Sequence, residues 1–330
     1  MKTTAQNSGE LLAMAGGYRS SIILMSAVQL GICDVLYDQV YSAPELAKIL
    51  KTDIRALEIL LNALVSLDFL EKEGGRYKNS QKSNDYLVEG KENYLGDLFK
   101  HDFHLIKRWI QLPEVIATGK PVPRNQNAWS SGQQRDFIMA MENLAKASAR
   151  QLLKVLDLST VRRFLDVGGG PGTFSIMFCQ HYPEMHAVVF DLPEVTEIAK
   201  GQIKQSGLED RVTAHRGDYN LDPLGNGYDM VFLSNIIHSI GEESIGNLFK
   251  KSFQALNPGG KIIVKDFISE ENMVSPPHAA IFSVNMLIGT EEGRCYSRNE
   301  IEKWLSKNDF VSLEYLAITD QNRLVIGTKP

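Results

Sequence analysis

A chain of 330 residues that sets 35 Lys and Arg against 40 Asp and Glu carries a formal charge of −5. Its 43% hydrophobic and 23% charged residues are the composition of a folded globular protein, which excludes disorder, collagen and coiled coil as whole-chain descriptions. At roughly 100–200 residues per domain the length predicts about two domains, and so mild an acidic excess gives no electrostatic reason to expect nucleic acid or an anionic membrane as partner. Cys33, Cys179 and Cys295 lie far apart with no C-x-x-C spacing, so neither a disulfide framework nor a zinc cluster is expected. The opening MKTTAQNSGE lacks a basic segment followed by an apolar run, so no secretory signal is expected and a cytoplasmic protein with reduced thiols is.

In chain order, apolar residues first recur at helical spacing through Leu11, Leu12 and Ala15, then through Ile22, Ile23, Met25, Ala27, Val28, Leu30 and Ile32. A helix apolar on most faces has to be buried, either in its own domain or against a partner subunit. Its most apolar stretch, Ser21 to Leu36, is interrupted by Gln29, Gly31 and Asp34 and is too short to span a bilayer, so no membrane insertion is expected. Ser42-Ala43-Pro44-Glu45 predicts a capped helix start. Asp53 caps a second helix carrying Leu57, Leu60, Leu64 and Leu67, and Gly74-Gly75 turns between two short extended pieces. Helix, helix and hairpin in this order make a winged helix, a shape often found on DNA. The helix in the recognition position, however, has Arg55 alone against Asp53, Glu58 and Asp68, and a phosphate-facing helix should be basic. A dimerisation scaffold is therefore expected, with a DNA-binding regulator as the alternative. Helical periodicity returns from Tyr94 to Ala117. A polar loop, Thr118 to Gln134, and a helix from Asp136 to Leu156 then lead to an expected boundary between residues 157 and 158.

Beyond it the period changes. Strands are predicted at Arg163–Val167, His186–Leu192, Val212–Arg216, Asp229–Asn235 and Lys261–Phe267, with helical patterns between the first three and between the last two. Such a βαβ series is an α/β fold, a doubly wound parallel sheet with helices on both faces. Phe310–Ile318 and Leu324–Lys329 are joined by so short a link that they must pair antiparallel, which completes a seven-stranded sheet with a reversed C-terminal hairpin.

The first strand runs into Asp166-Val167-Gly168-Gly169-Gly170-Pro171-Gly172-Thr173. Gly-rich turns of this kind serve dinucleotides, nucleotides and methyl donors alike. Here Pro171 sits inside the turn, Thr173 stands where a dinucleotide fingerprint has its third glycine, and no G-K-[ST] follows. The acid Asp166 with the G-x-G-x-G spacing of Gly168, Gly170 and Gly172 resembles instead the first motif of class I S-adenosylmethionine-dependent methyltransferases. Asp191 at the end of the second strand suits the two ribose hydroxyls, with Leu192 beside it. Asp218-Tyr219 after the third suits the adenine amine and an aromatic wall.

With AVQLGICDVL, the winged helix, FLDVGGGPGTF, VVFDLP, HRGDY, LSNIIHSI and LNPGGKIIV, nearly the whole chain resembles one family. These are the plant phenolic and caffeate-type O-methyltransferases with their bacterial and acetylserotonin O-methyltransferase relatives. The resemblance implies a mainly helical winged-helix domain at 1–157 that dimerises and lines the substrate, and a Rossmann-like domain at 158–330 that binds S-adenosyl-L-methionine. It implies a small-molecule acceptor, a homodimer, and no metal, nucleic acid or membrane. It also places Ser234 at the donor, His238 as catalytic base, and Phe137, Met141, Asn143, Asn285 and Met286 along the acceptor, with Pro276-Pro277-His278 as a loop near the mouth.

Chemistry supports a base at His238. Imidazole is the side chain suited to accept a proton near neutral pH. A phenol near pKa 10 lies about 3.5 units above it, so full prior transfer would cost roughly 5 kcal/mol and proton loss should be concerted with methyl transfer. Asp266 stands where the family usually has a glutamate, and Cys295 where it has a second acid, for which Glu291 or Glu292 is the nearby substitute. That departure keeps transfer to carbon, nitrogen or sulfur open beside transfer to oxygen.

Overall fold

A computed structural model describes residues 7–123, 131–319 and 323–330, and of 131–137 the backbone alone. The chain divides into two compact units, one of residues 1–107 and 129–143, the other of residues 108–128 and 144–330. The division falls inside a long helix, whereas the change in sequence period suggests residue 157.

The first unit begins with α1 (Ser8–Gly16), α2 (Tyr18–Gln29) and α3 (Ile32–Val35), followed by β1 (Tyr41–Ser42), α4 (Ala43–Leu50), α5 (Ile54–Ser66), β2 (Leu70–Glu73), β3 (Arg76–Asn79), α6 (Gln81–Tyr86) and α7 (Gly96–Trp109). Local chemistry fixes these ends. Ser42 and Glu45 form a reciprocal capping box, and Asp53 accepts the Ala56 N–H at 2.8 Å to start α5. Gly74 and Gly75 both take positive φ, which closes the β2–β3 hairpin. Leu46, Leu57, Leu61, Leu64 and Tyr77 pack as the core beneath the wing. Ahead of that core, Leu11, Leu12, Met14 and Tyr18 are exposed. The apolar stretch extends back beyond the Ser21 expected from sequence. Ser8–Gln29, with 22 residues and a mean hydropathy of 1.4, is long and apolar enough to cross a membrane by length and composition, although Gly17 separates its two helices.

The helical reading of Tyr94 to Ala117 resolves into α7 and α8 (Leu112–Thr118). Of the polar loop expected at Thr118 to Gln134, Gly119 caps α8, residues 124–130 lie outside the described residues, and α9 (Ser131–Val155) has already begun by its end.

In the second unit β4 (Arg163–Val167), α10 (Thr173–His181), β5 (His186–Asp191), α11 (Pro193–Ser206), β6 (Val212–Arg216), β7 (Tyr228–Ser234), α12 (Glu242–Ala255) and β8 (Leu256–Asp266) precede α13 (Pro277–Gly289), α14 (Arg298–Lys307), β9 (Val311–Ala317) and β10 (Arg323–Thr328). The sheet runs β6-β5-β4-β7-β8-β10-β9, with β10 antiparallel to both neighbours. Alternation sorts the side chains: Val231, Leu233, Ile262 and Val264 join α12 and α14 on one face, while Met230, Phe232 and Ile263 join Phe164, Phe174, Phe178 and Leu152 on the other. Strands covered on both faces read as continuous apolar runs, which is why the sequence shows them so clearly. The chain order reverses direction between β4 and β7, and the crevice beyond the carboxyl ends of such strands is where open α/β sheets bind ligands.

Candidate active site

Five neighbouring strand ends carry the polar groups. After β4, Gly168, Gly170 and Gly172 all adopt left-handed φ, of +63°, +57° and +81°. A Cβ at Gly168 would overlap Ile236, whereas one at Gly170 would enter open space, so the loop is glycine-rich for backbone conformation and to leave room above it. Asp166 is buried beneath this loop. Ser175 donates to its Oδ2 at 2.8 Å, and Oδ1 is buried without a hydrogen-bond partner among the described residues. Burial pushes its carboxyl up to about 7, against the lowering effect of Ser175.

Asp191 at the end of β5 accepts the Gly170 N–H at 2.8 Å on one oxygen and the Leu192 N–H at 2.7 Å on the other, so it also pins the glycine loop. Burial raises its pKa. Leu192 beside it is an exposed apolar side chain. After β6, Asp218 Oδ1 accepts the Asn220 N–H at 2.8 Å, and Tyr219 packs on the core with its phenol raised by burial and hydrogen-bonded to Ser239. At the end of β7 the Ser234 hydroxyl is buried with no partner among the described residues. The orphaned oxygen of Asp166, the unpartnered hydroxyl of Ser234 and the open space above Gly170 fit a ligand with an ammonium and a polar tail. S-Adenosylmethionine has both.

His238 lies on the 3-10 turn Ile237–Ser239 that follows β7, and its Nδ1 is 2.6 Å from Asp266 Oδ1 at the end of β8. The Phe267 N–H donates to the same oxygen at 2.8 Å. Burial pushes Asp266 up, but the His238 ring, the Phe267 N–H and the Lys265 charge outweigh it and hold the carboxyl below its ordinary value. An ionised carboxylate can only accept, so Nδ1 carries a proton, and a ring with that one proton leaves its lone pair on Nε2. Among the described residues nothing hydrogen-bonds Nε2. Phe282 meets the imidazole edge-on at 4.9 Å and Phe267 lies at 5.8 Å.

Other expected site residues fall differently. Glu292 is exposed with its carboxylate against Gly241, and Asp266, not Glu292, is the acid on His238. Glu291 is exposed as well. Cys295 is buried, its thiol pushed up to about 12 by burial, and its N–H donates to Ser283 Oγ. Asn285 Oδ1 accepts the Trp109 indole N–H at 3.2 Å, and Met286, one residue on, is half-buried. Met141 and Asn143 are half-buried in the first unit, Asn143 with a buried Nδ2 that has no partner among the described residues, and the side chain of Phe137 lies outside the described residues. Pro277 and His278, expected in a loop, form the first turn of α13, where Pro at the first helical position needs no N–H partner. Phe267 and Trp109 were not singled out from sequence. An aromatic directly after a strand-end acid was the available signal for the first. Among the described residues no group of three or more His, Cys, Asp or Glu could hold a metal ion.

A reversed-hairpin α/β sheet with a glycine loop and acids at successive strand ends defines the class I methyl-donor enzymes. Comparison with known proteins narrows this. Residues 116–311 match the O-methyltransferase domain and residues 12–89 the O-methyltransferase dimerisation domain. The 3-hydroxy-5-methyl-1-naphthoate 3-O-methyltransferase of Streptomyces sahachiroi is 33% identical over 89% of this chain and 87% of its own. The tetracenomycin polyketide synthesis 8-O-methyl transferase TcmO of Streptomyces glaucescens is 29% identical over 99% and 98%. The crystal structure of human N-acetylserotonin methyltransferase in complex with S-adenosylmethionine superposes with a TM-score of 0.89 at 25% identity, covering 99% of both chains. The chain belongs to the S-adenosylmethionine-dependent O-methyltransferase family, with its dimerisation domain followed by the methyltransferase domain.

Proposed function

We propose that this enzyme methylates a hydroxyl on a small aromatic acceptor, with His238 as general base and Asp266 as the residue that orients it. The observation that supports this reading is the 2.6 Å contact between His238 Nδ1 and an ionised Asp266, which favours the tautomer that leaves Nε2 free to accept a proton. The donor, when bound, supplies an electrophilic methyl group. Asp166, Gly168, Gly170, Gly172, Asp191, Leu192, Asp218, Tyr219 and Ser234 would hold it. As the acceptor oxygen attacks, Nε2 takes its proton and Asp266 stabilises the imidazolium that results. Phe267 and Phe282 keep water from the ring and offer flat apolar faces to an aromatic acceptor, together with Asn285 and Met286. Glu292 takes no part in proton transfer on this reading. The relatives' names support the acceptor class: one acts on a hydroxynaphthoate and another on a polyketide oxygen.

The exposed Leu12, Met14 and Tyr18 of α1 and α2 lie within the dimerisation match, which supports a homodimer closed through the N-terminal domain over a membrane-bound chain. With methyl-labelled donor and a panel of phenols, thiols and amines, label should appear on a phenol. His238→Ala should lower that transfer by roughly 10²–10⁴-fold while S-adenosylhomocysteine still binds. Near-normal turnover in the variant would sink the base assignment.

A further inference from the structure

One buried charge, next along β8 from Asp266, has no part in the scheme above. Lys265 is only 4% exposed, and burial pulls its ammonium down to about 8. The ammonium donates to Asn235 Oδ1 at 3.0 Å, its one hydrogen bond among the described residues, and lies 5.9 Å from the Phe267 ring. Taking an ammonium out of water is unfavourable, and an apolar side chain of similar length would fill the same space without that penalty. What the charge adds is a strong, directional bond to one acceptor, so the place of Asn235 in the fold decides what Lys265 does.

Asn235 is where the chain leaves β7 for the turn that carries His238. It takes a φ of +58°, in the left-handed region, at the bend that leads to Ile236 against Gly168 and His238 against Asp266. Asn and Asp visit that region more readily than other residues with a side chain, but the residue alone does not hold itself there. Lys265 holds it twice. The Asn235 N–H donates to the Lys265 carbonyl at 2.8 Å, and the Asn235 amide oxygen accepts from the Lys265 ammonium. Asp266 points to the opposite face of the strand, where it accepts the His238 N–H at 3.4 Å and meets Nδ1 at 2.6 Å. Two consecutive residues of β8 therefore grip the same turn, one at its entry and one at the base.

We propose that Lys265 is a positioning residue for the general base: by clamping Asn235 it fixes the exit of β7 and so the place at which His238 presents Nε2. This rests on the reading of His238 as base. Without the clamp the turn keeps its backbone bond and Asp266 but gains freedom at Asn235, and a misplacement of about 1 Å at a catalytic group can lower a rate ~10²-fold.

Single-turnover methyl transfer by the full-length protein tests the proposal, with a phenol of ordinary acidity and with a nitrophenol already ionised at the assay pH. Lys265→Met should lower the rate on the first by about tenfold or more and on the second by less than about threefold, while affinity for S-adenosylhomocysteine stays within about twofold. Asn235→Ala, which removes the acceptor and disfavours the bend, should show the same contrast. Asn235→Asp, which keeps an oxygen for the ammonium and tolerates positive φ, should stay within about threefold of wild type on both. Added to His238→Ala, Lys265→Met should lower the rate no further, because the clamp acts only through the base. Equal defects on both phenols, or a loss that multiplies with that of His238→Ala, overturns the proposal. So does a wild-type rate in Asn235→Ala, which leaves the buried strand untouched. A Lys265→Met variant that loses S-adenosylhomocysteine affinity would show that the ammonium serves the donor, and overturns it too. The underlying reading fails separately, if His238→Ala is itself equally impaired on both phenols. A contrast in His238→Ala with none in Lys265→Met strikes the clamp alone.

Discussion

Two buried carboxylates, Asp166 beneath the glycine loop and Asp266 against His238, are set to opposite states by their surroundings. Asp266 gains an imidazole, a backbone N–H and a nearby ammonium, which outweigh its burial and keep it ionised. Asp166 gains one hydroxyl, and burial wins, raising it to about 7. The sign of the consequence follows from linkage. The unfolded chain loses the Asp166 proton near 3.8 while the folded protein keeps it to about 7, so the folded state binds the extra proton between those values and stability falls as pH rises through that window. Asp166→Asn should therefore flatten the decline in melting temperature of the donor-free protein between pH 4 and pH 7, and it should weaken S-adenosylhomocysteine binding. An unchanged pH slope would show that Asp166 is ionised throughout. Asp266→Asn tests the tautomer. An amide N–H facing Nδ1 would place the ring proton on Nε2, so kcat should fall at least ~10²-fold with little change in donor affinity. A loss confined to KM would count against it.

At the scale of elements, the glycine loop separates backbone conformation from space. Gly168 and Gly170 both lie at positive φ, so alanine at either costs about 1–2 kcal/mol in strain. Only at Gly168 would the added carbon also meet a core-packed side chain, Ile236. Gly168→Ala should therefore lower the urea midpoint well beyond Gly170→Ala, and Gly170→Ala should lose donor affinity out of proportion to its loss of stability. Equal midpoints would contradict this division. The same contrast explains what could be read before the structure. Strand ends, the capping box at Ser42 and Glu45, and the glycine hairpin at Gly74-Gly75 are local, so sequence shows them. The partner of His238 is not local: Asp266 reaches it because β8 lies beside β7, and Glu292 is near in sequence pattern yet turns to Gly241. Phe267 gains its place from the same adjacency. The start of α13 escaped because two prolines read as a loop, although Pro is accommodated in the first turn of a helix.

For the molecule as a whole, the charge of −5 and an α5 whose single Arg55 is balanced by Glu58, with Asp53 and Asp68 flanking it, argue against the DNA that a winged helix would suggest. The apolar surface of α1 and α2 asks for cover. If a second copy supplies it, the protein should sediment as a dimer at micromolar concentration, and a Leu11→Glu, Leu12→Glu double variant, altering two exposed side chains, should sediment as a monomer with an intact fold. A monomeric wild type would leave that surface to some other partner. The central claim, that His238 removes the acceptor proton during transfer, is tested most directly by single-turnover methyl transfer in wild type and His238→Ala across phenols of decreasing pKa. The account predicts a defect of at least ~10²-fold for a phenol of ordinary acidity, shrinking to less than about tenfold for a nitrophenol already ionised at the assay pH. A defect of the same size for both would show that His238 only positions the acceptor and is not its base.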